Sequence, residues 1–138
     1  MDRFRAIVDV HVLLLRPPEE VLLIRRANTG YRDGQWGHLE PGETVVEGAI
    51  REAREEVGVT IEAAGLRFVH VMHRSPDRVG LFFAAGEWAG EPYNAEPHKC
   101  SAIGWHLLAD LPADTVDYPA AALAAIGRAE PFAVFGWR

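Results

Sequence analysis

The sequence predicts an α/β fold, a mixed central sheet sandwiched by helices, and three observations lead there. Short apolar segments rich in β-branched residues lie on both sides of one strongly amphipathic stretch. That stretch, Thr44 to Val57, carries Val46, Ala49, Ile50, Ala53 and Val57 three or four residues apart, the spacing of one buried helical face. An alanine-rich run near the C-terminus supplies a second helix. Strands with helices placed this way bury their apolar faces as stacked layers. The 138 residues suit one core, so a single domain over 1–138 is expected.

Taken in order, Ala6 to Leu15 (AIVDVHVLLL) reads as a core strand that stops before Arg16, Pro17 and Pro18. Val21 to Ile24 is a short apolar run able to pair back on it, closed by Arg25 and Arg26. Asn28 to Gln35 (NTGYRDGQ) is dense in turn formers and is expected to be an exposed loop leading to Trp36. The amphipathic helix follows, with Gly58 where a C-terminal cap belongs and a brief strand at Val59, Thr60 and Ile61. Leu66 to Met72 and Val79 to Ala84 look like two strands joined through Ser75, Pro76 and Asp77. Gly86 to Lys99 is a polar loop, Ser101 to Leu108 the last strand, and Leu111 to Pro119 a turn-rich connector to a helix over Ala120 to Ala129. Phe132 to Trp137 is expected to dock back on the body.

With 49% apolar and 25% charged residues the composition is that of an ordinary globular protein. The 14 Lys and Arg against 20 Asp and Glu give a net charge of -6, which disfavours nucleic acid as a partner. A polyanionic substrate would need a metal or a local basic patch. Asp9 and His11 interrupt the first apolar run, and no stretch reaches the length of a membrane span, so neither a leader peptide nor a membrane partner is expected. Cys100 is the only cysteine; it excludes an internal disulfide, fits the reducing cytoplasm, and reads as a buried inert thiol.

The chemistry concentrates between Trp36 and Val59. At about 100° per residue, Glu52, Glu55 and Glu56 fall on one stripe at the edge of the apolar face. Carboxylates so close raise the cost of ionising one another. A hard divalent cation such as magnesium, bound by carboxylates together with substrate phosphates, would compensate them. That arrangement suits phosphoanhydride cleavage, with one glutamate deprotonating the attacking water. A merely solvated helix stabilised by pairs such as Glu47 with Arg51 would carry similar acids.

The full spacing decides between these. Gly37, five residues, Glu43, seven residues, then Arg51-Glu52-Ala53-Arg54-Glu55-Glu56-Val57-Gly58-Val59 resembles the Nudix box of the Nudix hydrolases, MutT-like members included. Seven specified residues at roughly 5 to 8% background frequency each would match a given window by chance on the order of once in 10⁸. The resemblance implies a Nudix-type α/β/α sandwich and an enzyme that hydrolyses a nucleoside diphosphate linked to another moiety, using Mg2+ or Mn2+. It implies metal binding at Glu52, Glu55, Glu56 and the Gly37 backbone, with Arg51 orienting a glutamate and Glu43, Gly42 and Gly58 shaping the motif. Glu96 lies roughly where MutT-type members place a further loop carboxylate, so the base is expected to be Glu52 or Glu96.

Many relatives carry a Leu-Pro-x-Gly segment ahead of the His-x-Glu-x-Gly-Glu run, whereas Trp36-Gly37 here joins His38 directly. Losing a strand end beside a metal would be costly, so the expectation is that the sequence omits residues at this junction.

Outside the box, Arg26 (or Arg25) and Lys99 are candidates for substrate phosphates. Of the aromatic residues able to stack on a base, only Tyr31 and Tyr93 fall in expected loops. His38 and His98 read as polar loop residues. The leading expectation is a nucleoside triphosphate pyrophosphohydrolase, with a nucleotide-sensing module that does not hydrolyse, or an ADP-ribose or nucleotide-sugar pyrophosphatase, as alternatives. RNA cap removal is disfavoured by the net acidity. A homodimer is the family-level expectation for assembly.

Overall fold

A computed structural model describes residues 2–26, 30–33 and 35–138. The spine is strand β1 (Ile7–Arg16), whose alternation places Val10, Val12 and Leu14 on one face of the sheet and His11 and Leu13 on the other. Both sets are wholly or almost wholly buried, which requires a covering layer on each side. Helix α1 (Val45–Val57) covers the first face through Ala49, Ala53 and Val57. Helix α2 (Asp117–Gly127) covers the second, packing Leu123 on Leu13 and setting Tyr118 beside His11. The α/β/α sandwich expected from the sequence is therefore the observed fold.

The remaining strands are β2 (Glu20–Arg26), β3 (Gly30–Asp33), β4 (Gln35–His38), β5 (Arg67–Arg74), β6 (Arg78–Ala85), β7 (Cys100–Leu107) and β8 (Phe132–Phe135). Their main order is β3-β2-β1-β6-β5-β8, with β4 paired to β1 and β7 paired to β2. The sheet is mixed: β6 runs parallel to β1, while β5 and β6 form the expected antiparallel hairpin. On its other side β1 is shared, taking β4 at Asp9 to Val12 and β2 at Leu15 and Arg16. This sharing separates β4 from β2 along β1.

Two expectations are corrected. The turn-forming stretch 28–35 is not simply a loop, because Gly30–Asp33 pairs with β2 and Gln35 continues into a strand on β1; residues 27–29 and 34 lie outside the described set. Long-range pairing overrides the local preference of these residues. The terminal helix also starts earlier than Ala120. Pro119 falls in its first turn, where a missing N–H costs nothing, instead of ending the connector. Val59 to Ile61 contributes one bridge, Thr60 to Ala89, and Phe132 to Trp137 does dock back, as β8 parallel to β5. No helix among the described residues is long and apolar enough to cross a membrane.

Candidate active site

Helix α1 is delimited by local chemistry. The Thr44 hydroxyl accepts the Glu47 N–H at 3.1 Å and the Glu47 carboxylate accepts the Thr44 N–H at 2.8 Å, a reciprocal cap that fixes the first turn. At the far end Gly58 adopts φ 71°, and the Tyr93 ring lies where a Cβ would project. Between these stops, anchoring Ala49, Ala53 and Val57 under the sheet carries Glu52 and Glu56 inward, each 8% exposed. Glu55, one position further round, stays half-exposed.

Arg51 ties the acids together. Its Nε and Nη2 donate to the two oxygens of Glu43 at 2.7 and 2.9 Å, a bidentate pair. Its Nη1 donates to Glu52 at 2.7 Å and Glu55 at 2.9 Å, and Nη2 also reaches the His38 carbonyl at 3.1 Å. These hydrogen bonds, led by the one to Glu43, hold Arg51 more firmly cationic than a free arginine, and Arg51 in turn pulls the Glu43 carboxyl below its usual range. Glu43 also closes the turn at Gly42 (φ 78°) by accepting the Glu40 N–H at 3.0 Å.

Glu52 behaves in the opposite sense. Burial pushes its carboxyl above the usual range, more than the Arg51 contact brings it down, and the negative charges of Glu55 and Glu96 add to the rise. Gly37 faces it from β4: a Cβ there would coincide with the Glu52 carboxylate, so glycine alone lets the strand pass. The strand is unbroken through the short Trp36-Gly37-His38 junction, with Val10 opposite Gly37 and Asp9 opposite His38.

The polar loop brings the remaining groups. The Ala95 N–H bonds the Glu56 carbonyl at 3.1 Å, and the Glu96 carbonyl accepts the Lys99 and Cys100 N–H groups at 2.9 and 3.0 Å. Asn94 closes the loop by donating to the Cys100 carbonyl and accepting the Glu96 N–H. Lys99 Nζ then stands 3.3 Å from the Glu96 carboxylate. A cavity of about 460 Å³ results, lined by Arg26, Gly37, His38, Glu40, Arg51, Glu52, Glu55, Glu56, Glu96 and Lys99. A second cavity of the same volume, at Thr60, Glu62, Glu87 and Trp88, carries no basic group in its lining, so chemistry assigns the site to the first.

Eight of the residues singled out from the sequence thus meet at one cavity, and Glu43 supports it through Arg51. Gly42 shapes the preceding turn, and Gly58 caps the helix away from the lining. Arg26 lines the cavity, whereas Arg25 is tied to Asp114 at 3.1 Å and to Ser101. The two tyrosines do not line it. Tyr31 sits in β3 opposite Arg25, packs on the Leu13, Val21, Leu23 and Leu123 cluster and meets His106 edge-on; Tyr93 is exposed over Gly58. Stacking of a base on either therefore finds no support in this geometry. Sequence reasoning overlooked Glu40, which lines the cavity from an unspecified position inside the box, and read His38 as a polar loop residue, whereas His38 ends β4 and lines the cavity. It also passed over Asp9, although a lone acid in an apolar strand was a visible signal.

The donors around the cavity are carboxylate oxygens, partly buried and mutually repelling, the set a hard divalent cation prefers. Glu52, Glu55, Glu56 and Glu96 could hold such an ion, with the Gly37 backbone close by. Among the described residues no three acidic, histidine or cysteine groups already stand in a metal-holding arrangement. Arg51 takes that place, neutralising Glu52 and Glu55.

Comparison with known proteins agrees with this geometry. A family model described as NUDIX domain matches residues 6–125. An 8-oxo-dGTP diphosphatase of Escherichia coli (strain K12) is 34% identical over 108 residues, 74% of this chain and 79% of that protein. An 8-oxo-dGDP phosphatase of Homo sapiens is 39% identical over 85 residues, 59% of this chain but 25% of that longer protein. Its counterpart in Mus musculus is matched over 33% of its length, so the chain spans a third or less of these two relatives. Among solved structures, a MutT NUDIX hydrolase from Burkholderia pseudomallei superposes with a TM-score of 0.72 at 26% identity, covering 87% of this chain and 97% of that one.

Proposed function

The chain belongs to the Nudix family, and on that premise we propose that it is a metal-dependent hydrolase of a nucleoside diphosphate linked to another moiety, cleaving a phosphoanhydride bond. One observation carries the reading: five glutamates, Glu40 among them, share a single cavity with Arg26 and Lys99. Acids alone would repel a phosphate chain and basic groups alone would only bind it. Together they can receive a cation and a polyphosphate at the same place.

Arg26 and Lys99 bind the phosphates. Glu52, Glu55 and Glu56 hold Mg2+ or Mn2+, which when bound supplies neutralisation of the phosphate oxygens and of the leaving group. Glu52 is the proposed acceptor of the proton from the attacking water, held in place for that role by Arg51. Glu96 is the alternative base from the opposite wall. Arg51 fixes the orientation of Glu52 through the 2.7 Å bond, and Glu43 fixes Arg51. A nucleoside triphosphate is the favoured substrate, supported by the relative named as an 8-oxo-dGTP diphosphatase, most of whose length this chain spans. The reducing cytoplasm is the proposed setting, consistent with the buried free thiol of Cys100.

The test is phosphate or pyrophosphate release with Mg2+ across nucleoside triphosphates, oxidised nucleotides, nucleotide sugars and ADP-ribose. Turnover of one class is expected, lost on adding a chelator. Nucleotide binding without turnover on any of them would replace this reading with a sensing module.

A further inference from the structure

On the far face of the sheet from α1, three groups meet that the box does not include. Asp9 in β1 is wholly buried. Arg78 Nη1 donates to its two oxygens at 2.8 and 3.0 Å, and His38 Nδ1 lies 2.8 Å from Oδ1. A carboxylate only accepts, so His38 Nδ1 carries the hydrogen. The His38 side chain is 64% exposed, so packing does not hold it; the Asp9 contact does.

His38 is the last residue of β4, and successive side chains of a strand point to opposite faces. Its ring is therefore fixed from the far face. Its carbonyl accepts Arg51 Nη2 at 3.1 Å, and the preceding residue, Gly37, is the one whose backbone lies against the Glu52 carboxylate. A buried, paired carboxylate tolerates little displacement, since any shift leaves charge desolvated and unpaired. The strand end is consequently pinned from one side by Asp9 and Arg78 and read from the other by Arg51 and Glu52.

We propose that Asp9 and Arg78 are positioning residues for the active site, acting through His38 to set the height of the β4 backbone beneath Glu52 and Arg51. They touch neither substrate nor reacting atoms. The inference deepens the proposed metal-dependent hydrolysis and rests on it for the identity of the acids that bind the cation.

The experiment measures Mn2+ binding to the full chain by electron paramagnetic resonance, alongside kcat and KM, for wild type, Asp9→Ala, His38→Ala and the double variant. Each single change should weaken Mn2+ binding and lower kcat by about 10- to 100-fold, the size of effect typical of outer-shell partners. KM should stay within about twofold, and the double variant should be no worse than either single one, because both break the same link. His38→Gln keeps a donor and should restore most of the binding. Asp9→Asn keeps the size and an acceptor, and it serves if Asp9→Ala fails to fold. Mn2+ affinity unchanged in a folded Asp9 variant, or losses that simply add in the double variant, would overturn the proposal. A wild type that binds Mn2+ yet hydrolyses no nucleotide would end the hydrolase reading alone, leaving the binding comparison to decide this one.

Discussion

Replacing Glu52 with glutamine should stabilise the protein while abolishing its activity. Glu52 is 8% exposed and its carboxyl is raised above the usual range chiefly by burial, so the folded state disfavours the ionised form. The sign follows from comparing the two states. Where both folded and unfolded chains hold the proton, below about pH 4, burial of Glu52 costs no charge. As pH rises through the folded pKa the carboxylate ionises inside the protein and that stability is lost. Glutamine keeps the size and leaves an oxygen for Arg51 Nη1, but it never ionises. Arg51 retains Glu43 and Glu55, so no buried cation is stranded. The gain at neutral pH should be about 0.5–2 kcal/mol, the usual return from relieving a destabilised functional position. For a domain of this size that is about 2–6 °C in Tm. Thermal melts of both proteins without metal, from pH 4 to pH 8, should show no difference at the acid end and a growing advantage for Glu52→Gln above it. A variant less stable than wild type at pH 7.5, or an advantage that does not change with pH, would refute the account of Glu52 as a carboxylate held against its burial.

Other predictions bear on the remaining parts of the site. Glu56→Gln should abolish turnover while circular dichroism and melting show an intact fold; full activity in that variant would remove Glu56 from the metal set. Gly37→Ala forces the Glu52 carboxylate aside and breaks its bond to Arg51, a charge-assisted contact of about 1.5–3 kcal/mol, so kcat should fall about 10- to 100-fold with KM little changed. Lys99→Ala and Arg26→Ala should raise KM for a nucleoside triphosphate, more at low salt than at high, as screening weakens their attraction for phosphate. Gly58→Ala meets both a left-handed backbone and the Tyr93 ring, and should cost at least about 1 kcal/mol in denaturant unfolding without altering KM.

The helical half of the site was legible because its information is local. Val46 to Val57 fixes which side of α1 is buried, and that alone puts Glu52 and Glu56 at the buried edge with Glu55 beside them. The strand half was not. Gly30–Asp33 and Gln35 lie in a stretch rich in turn-forming residues, and they become strand only through pairing with Leu23 to Arg26 and with Val12, partners whose registers no local pattern states. Arg26 and Arg25 are equivalent in sequence, and only alternation along β2 sends one to the cavity and the other to Asp114. The contacts of Asp9 with His38 and Arg78 cross 29 and 69 positions, so the isolated acid was visible and its partners were not. Tyr31 shows the same limit from the other side: a residue read as exposed packs on an apolar cluster once its strand pairs.

Arg51 explains how so many acids coexist in the chain by itself. Ionised glutamates at one helix edge repel; Arg51 holds Glu43 below its usual range, whereas burial holds Glu52 above its own although the same guanidinium pulls it down. The difference lies in geometry and burial. Glu43 receives two parallel hydrogen bonds, whereas Glu52 shares one nitrogen with Glu55 and is the more deeply desolvated. The Glu43 pair is therefore the fixed anchor, and the contacts to Glu52 and Glu55 are the weaker, exchangeable set. On the proposed reading, Arg51 could release Glu52 and Glu55 to a divalent cation, which would supply the charge neutralisation that Arg51 only partly gives, while keeping its seat on Glu43. On that reading Arg51 and Glu43 keep the acids assembled, so Arg51→Lys, which cannot make the bidentate pair with Glu43, should lower kcat in the hydrolysis assay despite its like charge.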